Sequence, residues 1–224
     1  MEKRAILFDM DGVLFDSMPG HARCWEEVCQ DVGLDLTASE AYFHEGRTAK
    51  GTIDLLARRC WGREATTEEV ERIYAAKCKL FNSLPPAPKM PGAEAVLYEA
   101  KRAGLIITLV TGSGQQSLLE RLNQAYPNCF VRERMVTSDD VQHGKPNPEP
   151  YLMGLQKSGV TAEEALVVEN APLGVQAAVA AGIFTIAVNT GPLPEKALFD
   201  AGASLVFPSM QALAEAFAEI VSKK

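Results

Sequence analysis

The chain of 224 residues has no apolar run approaching the roughly 20 residues that a membrane-spanning helix needs. No membrane span is expected. The first residues, Met1-Glu2-Lys3-Arg4, lead straight into an apolar segment without the layout of a signal peptide. Positive charge is in deficit, with 22 Lys and Arg against 29 Asp and Glu, a net charge of −7. That balance argues against a nucleic-acid surface. An anionic substrate would have to be met by a local set of Lys, Arg, backbone N–H groups and a metal. Cysteine is scarce and unpaired in pattern. Cys24, Cys29, Cys60, Cys78 and Cys129 are odd in number and include no C-x-x-C. They read as reduced thiols of a cytoplasmic protein, and neither a disulfide framework nor a zinc motif is expected. Internal repeats and low-complexity tracts are missing too. What is present is the usual balance of a soluble globular protein, 47% apolar and 23% charged.

Strand and helix patterns alternate along most of the chain. Strands are expected at 5–8, 106–111, 135–137, 165–169, 185–188 and 205–207, several of them near-continuous apolar runs suited to burial on both faces. Helical patterns separate them at 116–125, 149–158, 173–181 and 210–221. The alternation predicts an α/β fold, a doubly wound parallel sheet with right-handed crossovers. Residues 17 to about 88 break it with three successive helical patterns. Trp25, Val28, Cys29 and Val32 share one face; Ile53, Leu56, Ala57 and Cys60 share another. Thr66 and Glu69 have the spacing of a capping box ahead of Val70, Ile73, Tyr74 and Phe81. A stiff connector, Pro85-Pro86-Ala87-Pro88-Lys89-Met90-Pro91-Gly92, closes the block. The expected organisation is a core of residues 1–16 and 89–224 with a helical cap, 17–88, inserted after the first strand. Ligands of open α/β sheets bind at the carboxyl ends of the strands, where such an insert can act as a lid.

Four strand ends carry chemistry. After Ala5-Ile6-Leu7-Phe8 come Asp9-Met10-Asp11-Gly12. In extended backbone, residues two apart point the same way, so both carboxylates can face one small volume. Their repulsion calls for a divalent cation or a division into nucleophile and proton carrier. Thr111-Gly112-Ser113 offers a hydroxyl, backbone N–H groups and a helix start, which suit a phosphoryl group but also occur in plain turns. Lys145, in Gly144-Lys145-Pro146, is either a phosphate- or carboxylate-binding cation or a solvated loop lysine. Glu169-Asn170 offers oxygen donors for Mg2+, although Asn170 could equally be a helix cap.

The order DxDG, then Thr, then Lys-Pro, then an acid–amide pair resembles the haloacid dehalogenase superfamily over nearly the whole chain. The helical insert resembles that family's C1 cap, and the nearest architecture is the β-phosphoglucomutase-like branch. The resemblance implies a Rossmann-like core, Mg2+ as cofactor and a small phosphorylated substrate. It implies that Asp9 attacks phosphorus to form an aspartyl-phosphate, while Asp11 serves as acid and then base. Thr111, Gly112 and Ser113 would hold phosphoryl oxygens, and Lys145 would bridge Asp9 and the transferring group. Asp9, Asp11 and Asn170 would hold the metal with support from Glu169. His21 matches a position that the mutases use near Asp11; it could equally be a helix-surface histidine.

The chain departs from this pattern at two places. Asn170 stands where the family usually has an acid, which weakens a site for a hard cation. Glu45, in His44-Glu45-Gly46-Arg47, stands in the cap loop where the related mutases carry a lysine. An acid facing phosphate is unfavourable unless a cation intervenes, so Glu45 is expected to reach the Mg2+ on cap closure and replace the lost charge, the alternative being a solvated loop carboxylate. Arg47 would bind the distal phosphate. Lys77 shares the apolar face of Val70, Ile73, Tyr74 and Phe81, so it either snorkels or serves a site; the resemblance, which implies a phosphate-binding lysine in this cap helix, favours the site. His-Glu-Gly-Arg together with Glu-Asn-Ala-Pro-Leu-Gly resembles a narrower branch, the inorganic pyrophosphatases of the phosphoglucomutase-like fold. Pyrophosphate hydrolysis is therefore the first expectation. β-Phosphoglucomutase activity and a small sugar-phosphate phosphatase are the alternatives. Asp11 argues against dehalogenation, and the intact reactive set argues against a purely binding protein. A monomer is expected.

Overall fold

The computed structural model describes residues 2–114 and 118–222. Six parallel strands form one sheet in the order β3-β2-β1-β4-β5-β6: β1 (Ala5–Phe8), β2 (Ile106–Val110), β3 (Met135–Val136), β4 (Ala165–Glu169), β5 (Phe184–Val188) and β6 (Leu205–Phe207). Every expected strand forms, with ends that differ by no more than a residue. β1 is central, with Ala5 opposite both Ile106 and Ala165. Its four side chains are buried and alternate between faces. Ile6 and Phe8 join Val96, Leu97, Leu213 and Phe217 on one side, where α5 (Ala93–Arg102) and α10 (Met210–Ser222) pack. Ala5 and Leu7 join Tyr151, Leu155, Ala177 and Ala178 on the other, under α7 (Glu149–Ser158) and α8 (Pro172–Ala180). This is the expected doubly wound sheet.

Two core helices were not expected. α5 is amphipathic, burying Ala93, Val96, Leu97 and Ala100. α9 (Glu195–Asp200) has only six residues and buries Leu198, too short to show a period. α6 is described over Leu118–Ala125; Gln116 and Ser117, at the start of its expected span, lie outside the described residues.

The inserted block contains α1 (Met18–Asp31), a single turn α2 (Ala38–Ala41), α3 (Ala49–Trp61) and α4 (Thr67–Ser83). The short α2 adds a fourth helix to the three expected. The block has its own hydrophobic cluster, including Val28, Leu34, Leu36, Ile53, Leu56 and Ile73. Both halves of the Thr66–Glu69 capping box form. Arg63 extends it, donating to both Glu69 oxygens at 2.7 and 2.8 Å. The two segments that join the block to the sheet run side by side. Asp16 N–H donates to Pro88 O (3.0 Å) and Met90 N–H to Leu14 O (2.9 Å). Among the described residues no helix is long and apolar enough to cross a membrane.

Candidate active site

The carboxyl ends of β1, β2 and β4, the loop before α7 and the cap loop between α2 and α3 meet at one place. Asp9 follows β1 and is 6% exposed. Lys145, 3% exposed, precedes Pro146 across a cis peptide bond. Its Nζ donates to Asp9 Oδ1 (2.5 Å), Glu169 Oε1 (2.6 Å) and Val110 O (3.2 Å). Lys145 is thus not a solvated loop lysine. Tyr151 O–H also donates to Glu169 Oε1 (2.9 Å), and the N–H groups of Asn170 and Ala171 donate to Oε2 (2.9 and 3.1 Å). All these partners hold Glu169 against Lys145. Sequence reasoning missed Tyr151, whose only signal was a buried aromatic on the apolar face of α7.

Asp11 belongs to a second, linked network. Ser17 Oγ donates to Asp11 Oδ1 (2.5 Å), and His21 Nε2 lies 3.3 Å from the same oxygen. Lys77 Nζ lies 2.7 Å from His21 Nδ1. An ammonium can only donate, so Nδ1 accepts and Nε2 carries the hydrogen directed at Asp11. His21 also stacks on Phe81 at 3.8 Å, and Lys77 Nζ lies over the Trp25 and Phe81 rings. Lys77 is therefore buried beside His21 rather than snorkelling to solvent, and His21 is not a surface residue. Ser17 was not anticipated; it precedes α1 like a helix cap, but its hydroxyl serves Asp11 instead.

The cap loop closes over these groups. Asn170 Nδ2 donates to both Glu45 oxygens at 3.0 Å. Gly12 permits this approach: a Cβ there would lie 2.1 Å from Asn170 Nδ2, and its φ is +77°. Between cap and core lies a cavity of about 110 Å³. Asp9, Asp11, Glu45, Gly112 and Ser113 line its polar end, with His21, Arg47 and Lys77. Met18, Trp25, Leu36 and Tyr74 give it an apolar wall. Thr111, Lys145, Glu169 and Asn170 do not line it. Thr111 Oγ1 accepts from Ser113 N–H (3.1 Å) and shapes the turn that presents Gly112.

A family model described as haloacid dehalogenase-like hydrolase matches residues 3–182. The chain belongs to the haloacid dehalogenase-like hydrolases. It is 32% identical over 190 residues to hexitol phosphatase A of Escherichia coli, which covers 84% of each chain. It is 31% identical to a phosphatase of phosphorylated carbohydrates from Thermotoga maritima, covering 91% of this chain and 94% of the relative. A solved structure of a candidate beta-phosphoglucomutase from Bacteroides vulgatus is 52% identical, with a TM-score of 0.96, over 100% of this chain and 91% of that one.

Charge in this hydrolase site is unbalanced. Burial pushes the Asp9 carboxyl up to about 7; Lys145 opposes the shift, while Glu169 and Asp11 add to it. Burial, and then the Asp9 charge, raise Glu45 well above the usual carboxylate range. Burial works to lower Lys145, but Asp9 and Glu169 outweigh it and hold the ammonium charged. For Asp11, burial is outweighed by His21, Ser17 and Lys77, which hold it well below its ordinary value. Burial lowers Lys77. The enzymes of this family use Mg2+. Among the described residues no three His, Cys, Asp or Glu side chains make a metal site by themselves. A mixed oxygen set does fit the ion: the buried carboxylate of Asp9, the half-buried carboxylate of Glu45, and Asn170 Oδ1, which is buried without a hydrogen-bond partner. These are hard donors with excess negative charge beside them.

Proposed function

We propose that this hydrolase removes phosphate from a small phosphorylated carbohydrate, through an aspartyl-phosphate on Asp9. The observation that carries the substrate class is the apolar wall opposite the carboxylates. Trp25 and Tyr74 pair at 6.3 Å and 26°, and Met18 and Leu36 extend the surface. Such a wall suits the C–H face of a sugar or sugar alcohol. The named functions of the Escherichia coli and Thermotoga relatives support the same class. The small cavity limits the body that fits beside the phosphate.

An Asp9 oxygen would bond to phosphorus as the bond from phosphorus to the sugar oxygen breaks. Gly112 and Ser113 would orient the phosphoryl oxygens, and Lys145 would keep the nucleophile ionised and aimed. The sugar oxygen must gain a proton, and Asp11 is placed to give it. In the state seen here Asp11 is a carboxylate, so it would receive that proton from His21 Nε2–H as the Lys77 ammonium passes one to Nδ1, which leaves His21 neutral and Lys77 an amine. After the first step Asp11 is a base again and takes a proton from the water that attacks the aspartyl-phosphate. Glu169 and Tyr151 position Lys145. Mg2+, held by Asp9, Glu45 and Asn170, would neutralise negative charge on the phosphoryl group.

Pyrophosphate remains a second reading, favoured by the Glu45–Asn170 contact. That contact draws the cap down tightly, as a small substrate permits, and Arg47, Lys77 and Lys145 supply cations. Phosphate release from sorbitol 6-phosphate, fructose 1-phosphate and pyrophosphate, with Mg2+, separates the two. The same experiment includes β-glucose 1-phosphate with a bisphosphate primer. Hydrolysis of a carbohydrate phosphate, lost in Asp9→Asn, supports the first reading. Preferred turnover of pyrophosphate, lost in Glu45→Ala, would replace it with the second. Formation of glucose 6-phosphate without net phosphate release would make the enzyme a mutase.

A further inference from the structure

Asp9 and Lys145 are almost wholly covered in this structure, and access to them widens as the cap loop lifts. The loop, residues 42–48, must then return to the same seat. Three of its residues land on core loops. Gly46 lies over Lys145, its missing Cβ 2.9 Å from Lys145 Cδ. Thr48 lies on Gly144, where an added Cβ would be 2.7 Å from Thr48 Cγ2. Tyr42 lies on Gly191, where an added Cβ would be 2.9 Å from the ring.

Gly144 and Gly191 are not in the left-handed region of backbone space. Any residue could adopt those backbone conformations, so conformation does not explain glycine at either position. Space does, and the space is taken by the cap. Thr48 cannot turn its methyl aside freely. Its Oγ1 caps α3 by accepting from Gly51 N–H (3.1 Å), which fixes the rotamer.

We infer that Gly144 and Gly191 are positioning residues, and that their missing side chains form the seat that fixes how far the cap closes. Both lie outside the reacting groups. They act by letting Thr48 and Tyr42 descend until Glu45 meets Asn170 and Arg47 reaches the cavity. The inference rests on Asp9 being the reacting end of the cavity, as proposed above.

A bump and a matching hole test it. Gly144→Ala adds the bump. Thr48→Ser removes only the opposing methyl and keeps the hydroxyl that caps α3. Hydrogen exchange by mass spectrometry, read without ligand on residues 42–48 and 142–147, reports seating directly. Both segments should be protected in the unaltered enzyme. Gly144→Ala should speed their exchange about tenfold, and Gly144→Ala/Thr48→Ser should bring it back. With the best substrate of the panel, kcat/KM should follow the same order, with a loss of about 10- to 100-fold for the single variant. Gly191→Ala with Tyr42→Ala should repeat the pattern. Equal impairment of Gly144→Ala and the double variant would overturn the inference. So would unaltered exchange in Gly144→Ala, or fast exchange in the unaltered enzyme. Failure of the Asp9 chemistry would show instead as Asp9→Asn retaining activity, which leaves the exchange pattern untouched.

Discussion

Asn170 in the core and Glu45 in the cap, 125 positions apart in the chain, share one amide nitrogen between two carboxylate oxygens at 3.0 Å. The amide is the natural partner here, because a second carboxylate would repel the first inside a buried site. Asn170→Asp should therefore loosen the cap in chelator and bind Mg2+ more tightly, by about tenfold or more. Isothermal titration and hydrogen exchange of residues 42–48 read both effects. An unchanged affinity would remove Asn170 from the metal set.

Lys145 lies between Asp9 and Glu169 with its charge fully buried. Lys145→Met should abolish turnover and cost about 3–5 kcal/mol in urea unfolding, because it strands buried acids. Adding Glu169→Gln should recover part of that stability and none of the activity. If the single variant were as stable as the parent, the buried pair would not contribute as described.

Asp9 has a folded-state carboxyl near 7, against 3.8 for the free group. A carboxyl raised on folding adds stability that is complete below about pH 4 and is lost as pH rises through about 7. In chelator, the enzyme should therefore lose on the order of a few kcal/mol between those limits. Asp9→Asn should flatten that part of the profile while abolishing phosphate release. Unfolding followed from pH 4 to 8 tests the sign; a rise in stability over that range would contradict it.

His21 and Lys77 hold Asp11 as a carboxylate. His21→Asn and Lys77→Met should each raise the Asp11 pKa and move the acid limb of kcat/KM to higher pH. Lower turnover with an unmoved limb would make both residues structural only.

Trp25 is the test of the organic wall. Trp25→Ala should raise KM for a sugar phosphate by about tenfold, the worth of roughly 1.4 kcal/mol of lost contact. It should leave pyrophosphate kinetics nearly unchanged. Equal losses on both substrates would show that Trp25 supports the cap rather than the substrate.

Much of this arrangement was legible in the sequence because buried strands announce themselves. Ala5–Phe8 and Ala165–Glu169 are unbroken apolar runs ending in acids, and parallel sheets gather strand ends on one side. The helical period of Ala93, Val96, Leu97 and Ala100 is also present, but the proline-rich connector directly before it masks the start of the helix. The six-residue α9 offered too few turns to show a period. Ser17 and Tyr151 could not be read, because their roles depend on which partner the fold brings to a common polar group. Lys77 could be read, since a lysine amid Val70, Ile73 and Phe81 needs a partner.

The paired connectors bear on all of this. Asp16 and Pro88, and Leu14 and Met90, tie two crossing segments into one ribbon. Two segments held together by hydrogen bonds cannot rotate about their single bonds independently, as a lone thread can. Any movement of the cap on this paired connection is more restricted than it would be on one thread. Such a restriction favours the return of Thr48 and Tyr42 to the same two glycines.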